Sequence, residues 1–432
     1  MYVKKFRIIA LAVALIMVFG LVAACSPEAP AQPATPADTP APADQDAPAM
    51  QETPAETTPA VTPPPPVDPP AVAYESVTIG LMGPHTGPAA QFGIAVRDGA
   101  MLYIDAFNAR GGLQILVEMW DDEHNAALAV MGYNHLVDQG VTAILGGVTS
   151  GPTMAVVPLA YEENMPMITA SATHAGVTVD QDTGRVFTNM FRSCFIDPFQ
   201  GTKMAEFAVE VVGAATAAVL YSHEIDYSIG LMEAFIARAE QIGLEIIAVE
   251  RFADDAIDFS GQLINIAAAN PDVLFVPAYH QHIALIGPAS VAAGLDTTFL
   301  GADGWAAVLE FMPDPSSIEG AFFLTGFTTE SDSPRVQDFI SRYIARHGDP
   351  PNMFAAQAYD AAMILIAAIE RALADGHSPG TQTFKLSVIA HMAATDIEGV
   401  TGRITYDEFN NPQKTAFIVE IVGGVDRFWG EF

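Results

Sequence analysis

Three short loops of this sequence carry residue types that hold small charged molecules. The stretch Gly146-Gly147-Val148-Thr149-Ser150-Gly151-Pro152 follows an apolar run at 141–145 and opens onto a helix-forming segment. Backbone amides at a helix start favour an anion, and the Ser150 hydroxyl adds a donor, so this loop suits a carboxylate. Ser150 near the cap and Pro152 at the first helical position also fit ordinary capping. A second loop, Thr169-Ala170-Ser171-Ala172-Thr173-His174, has small residues that let a ligand approach the backbone, and Thr173 offers a hydroxyl. A charge of opposite sign stands in Gly301-Ala302-Asp303-Gly304-Trp305. Asp303 there pairs with a ligand ammonium or serves as a turn residue before glycine. Aromatic rings stand in further loops: Phe92 in the stretch 83–93, Tyr227 after Ile225-Asp226, and Tyr279 after Pro277-Ala278. Phe92 either covers an apolar part of a ligand or packs on its own domain.

Other chemistries find little support. The Gly-Lys-Ser/Thr ending of a phosphate loop is missing from 146–152. No Gly-x-Ser-x-Gly elbow occurs, and His174 has no acid partner recognisable from sequence, so no enzyme activity is expected. His280-Gln281-His282, even with His124, lacks the remaining ligands of a zinc pattern, so no metal site is expected. No cofactor is expected either. A formal charge of -33 argues against nucleic acid as a partner, since no basic patch is available to neutralise phosphates.

The loops need a scaffold that presents them together. Apolar runs suited to buried strands occur at 77–82, 115–119, 141–145, 167–169, 217–221, 245–249, 273–276 and 321–324, with two more at 402–406 and 416–422. Helix-length segments separate most of them, among them 94–109, 126–139, 198–212, 228–241 and 260–269. Such alternation implies an α/β fold with parallel sheets covered on both faces. Some 355 residues of this pattern exceed one core, so two lobes are expected. Ligands of open α/β sheets bind beyond the carboxyl ends of strands, where these loops lie. The very apolar segment 353–374 contains Gln357, Tyr359, Asp360 and Glu370, which favours a buried packing helix over a membrane span. Cys194 lies in Phe191-Arg192-Ser193-Cys194-Phe195 and reads as a buried inert thiol.

The chain begins with Lys4, Lys5 and Arg7, continues with an apolar run at 8–22, and reaches Ala23-Ala24-Cys25. This is the layout of a secretory signal, 1–24. A cysteine after Val22-Ala23-Ala24 resembles a bacterial lipobox, which implies lipidation of Cys25 and a membrane anchor for an extracytoplasmic protein. Residues 25–73 are Pro, Ala, Thr and acidic residues, including four prolines at 63–66. Proline blocks helix and sheet, so this segment is expected to be a disordered tether.

From about 77 to 422 the chain resembles the branched-chain amino acid (Leu/Ile/Val-type) substrate-binding proteins of ABC importers. The resemblance rests on Ile79-Gly80-Leu81-Met82-Gly83-Pro84 with Thr86-Gly87-Pro88, Asn108-Ala109-Arg110-Gly111-Gly112, Asp121-Asp122, the loop 146–151, Pro166-Met167-Ile168-Thr169 with Ser171-Ala172-Thr173, and Phe354-Ala355-Ala356-Gln357-Ala358-Tyr359-Asp360-Ala361. It implies a type I periplasmic-binding-protein fold: two Rossmann-like lobes, 75–193 with 328–402 and 194–327 with 403–432, joined by a three-strand hinge. It also implies that Ser150 and Thr173 hold a ligand carboxylate with nearby backbone amides around Ala172. The backbone near Ser171 and the Asp303 carboxylate would hold the ammonium. Tyr227 and Tyr279 would close over the ligand, and Phe92 and Phe354 would meet its side chain. The partners so implied are an amino acid or similar small carboxylate and ABC permease subunits. A ligand-sensing ectodomain that signals to a partner protein is the alternative with the same fold. Departures exist. The family often has Glu where Asp303 stands, and a cysteine pair of some members is replaced by His124 and Thr149. Trp305 and His280 near the pocket suggest a preference beyond simple aliphatic side chains.

Overall fold

The computed structural model describes residues 74–432. The expected signal 1–24, lipidation at Cys25 and tether 25–73 lie outside the described residues.

Apolar runs become strands because both sheet faces are covered, which demands side chains buried on either side. Val77, Ile79, Leu81 and Met82 are all buried in this way in β1 (Ser76–Gly83). The first sheet adds β2 (Gln114–Asp121), β3 (Ile144–Leu145), β4 (Met167–Thr169) and β5 (Met190–Arg192), in the order β2-β1-β3-β4-β5. All its pairings are parallel. The helices α1 (Ala90–Asn108), α2 (Ala126–Asp138) and α3 (Ser150–Glu162) connect its strands.

The second sheet contains β6 (Thr216–Ser222), β7 (Glu245–Phe252), β8 (Val273–Phe275), β9 (Thr298–Gly301) and β10 (Phe322–Thr325). Among them run α4 (Asp197–Phe207), α5 (Asp226–Ile242), α6 (Ser260–Ala269), α7 (His280–Ala292) and the short α8 (Val308–Phe311). The chain then returns to the first lobe through α9 (Pro334–His347), α10 (Met353–Ala374) and α11 (Gln382–Ala393), followed by a hairpin of β11 (Asp396–Gly399) and β12 (Gly402–Thr405). Two last strands, β13 (Phe417–Val422) and β14 (Val425–Glu431), complete the second sheet in the order β14-β13-β10-β9-β8-β6-β7. The chain thus passes between the lobes three times, after Arg192, after Thr325 and after Thr405.

The second sheet is not wholly parallel, as strand–helix alternation alone suggests. β13 runs antiparallel to β10, and β14 antiparallel to β13. Gly423 and Gly424 between these two strands have φ of 62° and 73°. A two-residue turn with both φ positive returns the chain directly, so no crossover helix is needed.

α10 is long and apolar enough to cross a membrane by length and composition, yet its apolar window is 78% buried. It packs along α1, where Gly99 permits close approach: a Cβ there would lie 2.0 Å from the Ala355 carbonyl oxygen. Strand order reverses between β1 and β3 in the first sheet and between β6 and β8 in the second. Loops leaving such neighbouring strands diverge and open a crevice at the carboxyl ends.

Candidate functional site

The two crevices face each other and enclose one small cavity. Phe92, Val148, Thr149, Ser150, Ser171 and Phe354 line it from the first lobe, and Tyr227, Tyr279, Asp303 and Gly304 from the second. At most about 240 Å³ of empty space lies between them, below the roughly 300–1,000 Å³ typical of drug-sized ligand pockets. The walls nearly meet, leaving room on the order of a single water between them.

Among the sequence-predicted residues, Phe92, Ser150, Ser171, Tyr227, Tyr279, Asp303 and Phe354 meet at this cavity, whereas Ala172 and Thr173 lie just behind it. Ser150 is the first residue of α3, which starts without a side-chain cap; Thr149 occupies the cap position and Pro152 the third helical position. The first amides of α3 are therefore left to an anion, as uncapped helix starts are. Ser150 Oγ accepts from His174 N at 3.2 Å, which leaves its hydroxyl hydrogen to donate elsewhere. The amides of Ser171 and Ala172 both donate to Thr169 Oγ1, at 3.2 and 2.9 Å. The donors left for a carboxylate are thus the Ser150 and Thr173 hydroxyls and the start of α3. Thr173 Oγ1 is buried and has no hydrogen-bond partner.

Arg192, the last residue of β5, shapes this loop from behind. It is fully buried, and its guanidinium donates to the carbonyls of Ala172 (3.0 Å) and His174 (3.1 Å) and to Thr178 Oγ1 (3.1 Å). Those two carbonyls flank Thr173, so the fork fixes how Thr173 is presented.

The negative side of the site holds two acids. Asp303 Oδ1 accepts from Tyr227 Oη at 2.7 Å and Gln200 Nε2 at 3.0 Å. Burial pushes its pKa up to about 6 against the lowering effect of those bonds. The second acid, Asp197, opens α4 and is fully buried. Burial drives its pKa well above the usual carboxylate range, against the lowering influence of Thr173, while the Asp303 charge raises it further. Thr173 lies near enough to act on Asp197, yet neither Asp197 oxygen has a hydrogen bond of good geometry. Two buried carboxylates this poorly compensated call for a cation.

Asp197 and Gln200 escaped the sequence reading for one reason. Both follow β5, a three-residue strand containing an arginine, which does not stand out as an apolar run and so does not mark a strand-end loop in the sequence. The available signal was Asp197-Pro198, an acid and a proline at a helix start.

Rings close the cavity from both lobes. Phe92 packs against Phe354 at 4.8 Å between centroids, and against Tyr279 of the other lobe at 5.3 Å. Tyr279 stacks on Tyr227 at 4.9 Å. His124 Nδ1 and Thr149 Oγ1 share a hydrogen bond at 2.8 Å. Trp305 is turned away into the second core, where its Nε1 donates to the Val276 carbonyl at 2.9 Å. Its expected place beside the pocket is thereby corrected: the indole needs a partner for its N–H and finds it beneath the sheet end. Cys194 is buried, and burial raises its pKa to about 12, consistent with an inert thiol.

Comparison with known proteins agrees with this architecture. Residues 76–425 match a family model described as periplasmic binding protein. The chain is 27% identical over 354 residues to a leucine-, isoleucine-, valine-, threonine- and alanine-binding protein of Pseudomonas aeruginosa, covering 81% of this chain and 90% of that protein. The crystal structure of a leucine binding protein from Thermotoga maritima superposes with a TM-score of 0.74 at 29% identity, covering 82% of this chain and 98% of that one. A branched-chain amino acid transporter substrate binding protein from Streptococcus pneumoniae, solved in complex with isoleucine, gives 0.72 at 28% identity with the same coverages.

Proposed function

The chain belongs to the periplasmic binding protein family, and from that premise we propose that it captures an α-amino acid or similar small carboxylate outside the cytoplasm and hands it to an ABC importer. One observation carries this reading: the Ser150 hydroxyl and an uncapped helix start on one side of a small cavity face the buried Asp303 carboxylate on the other. That arrangement complements a zwitterion. The Ser150 and Thr173 hydroxyls and the α3 amides take the carboxylate. Asp303 takes the ammonium, whose charge relieves the cost of burying it, and the Asp197 carboxyl behind it adds to the negative potential there. Phe92, Phe354, Tyr227 and Tyr279 surround the rest of the molecule.

Capture proceeds by hinge closure about the three crossings. The lobes, with the last crossing after Thr405 rather than at 402, part to admit the ligand and then bring Tyr279 against Phe92. Closure excludes water and strengthens the charge contacts. The permease subunits recognise the closed form. Lipid at Cys25 keeps the protein at the membrane, with 25–73 as its tether.

Titration calorimetry on the mature chain tests the reading. An L-amino acid should bind, and removing either its carboxylate or its ammonium should weaken binding at least 100-fold, since each charge-assisted set contributes about 3 kcal/mol or more. Equal binding of a simple amine would reject it, and equal binding of a simple carboxylic acid would reject the ammonium role of Asp303.

A further inference from the structure

We propose that His280, packed directly behind Phe92, reads the ligand's side chain and selects one bearing a hydrogen-bonding group. The inference rests on the amino-acid reading above and narrows it to polar amino acids.

His280 begins α7, directly after the cavity-lining Tyr279. Its side chain is wholly enclosed, with 0% of the residue exposed. The imidazole stacks on Phe311 at 4.1 Å and meets Phe92 at 4.6 Å between centroids in an edge arrangement. Neither Nδ1 nor Nε2 has a hydrogen-bond partner. Its neighbours differ in this respect: His124 shares a hydrogen bond with Thr149, and His282 Nε2 has the Asp254 carbonyl at 2.8 Å. Burial, with the neighbouring His282, lowers the His280 pKa to about 4, so the ring is neutral at pH 7 and presents one donor and one acceptor.

A neutral imidazole with both nitrogens unmatched destabilises the closed form. A leucine or phenylalanine would fill the same apolar space without that cost. Phe92 lines the cavity and also packs on His280, so a ligand side chain that displaces Phe92 meets the imidazole. An amide or hydroxyl arriving there satisfies the ring; an aliphatic side chain leaves it unmatched. Sites with buried polar groups reject ligands that lack the matching group, by the same logic.

The test is calorimetric titration of the full mature chain with L-leucine, L-glutamine and L-threonine, for the wild type, His280→Phe and His280→Gln. The wild type should bind glutamine or threonine at least 10-fold more tightly than leucine. His280→Phe should lose that preference by weakening the polar ligand while leucine binding holds or tightens. His280→Gln, which keeps a donor and an acceptor, should retain it and serves if the phenylalanine variant does not fold. Tighter binding of leucine by the wild type, or an unchanged preference in both variants, overturns the inference and leaves the amino-acid reading intact. Binding of no amino acid at all removes both.

Discussion

Tyr227 Oη donates to Asp303 Oδ1 at 2.7 Å, and Tyr227 Oη itself accepts from the Gly304 amide at 2.8 Å. A single phenol therefore orients the buried acid and holds the turn that carries it. Gln200 repeats the arrangement from α4: its Nε2 donates to Asp303 Oδ1, and its Oε1 accepts from Asp303 N at 3.0 Å. Asp303 is pinned from two helices, with its free oxygen left for a ligand.

Tyr227→Phe removes one bond to the acid and strands the Gly304 amide. Bonds to a charged group contribute about 1.5–3 kcal/mol, so ligand affinity should drop roughly 10- to 100-fold. The fold should survive, because Gln200 still holds the turn. Calorimetry at pH 7 beside a thermal melt separates the two effects. Unchanged affinity would mean that the phenol plays no part in presenting Asp303.

Ligand binding should depend on pH through Asp303. Its carboxyl is pushed up to about 6 from an ordinary 3.8. Between those values the folded state keeps a proton that the unfolded state has lost. Stability of the ligand-free protein therefore falls as pH rises from about 4 to about 6, by roughly 3 kcal/mol from this group. A bound ammonium reverses the bias, since it favours the carboxylate. Affinity should accordingly tighten as pH rises through 6, with a proton released on binding near pH 5. Calorimetry in buffers of different ionisation enthalpy measures that proton, and Asp303→Asn should abolish most of it.

Asp197 should show a conflict between stability and binding. It is a fully buried carboxyl without a well-formed hydrogen bond, and burial dominates its raised pKa. Replacing it by asparagine removes a carboxyl whose ionisation the folded state disfavours. Asp197→Asn should melt a few degrees higher at pH 7 than the parent while binding its amino acid at least 10-fold more weakly. A variant that melts lower and binds normally would assign Asp197 a purely structural role.

Much of this protein follows from its sequence alone, because local order depends on near neighbours. Runs such as 77–82 bury both faces of a strand, and the small residues of 146–151 and 170–173 mark strand-end loops whatever the rest of the chain does. Those patterns determined the α/β class, the family resemblance and the loops that reach the cavity. Tertiary structure decided what no local pattern encodes. Strand order brings the loops after β1 and β3 opposite those after β6 and β8, and that meeting turns Phe92 and Tyr279 into one wall. It gave Trp305 a partner inside the core and left His280 without one. It also placed Asp197, hidden behind a three-residue strand, beside Asp303 and Thr173. The physical reason is that burial and charge interactions act through space, between residues a hundred positions apart, and only the folded chain sets those distances.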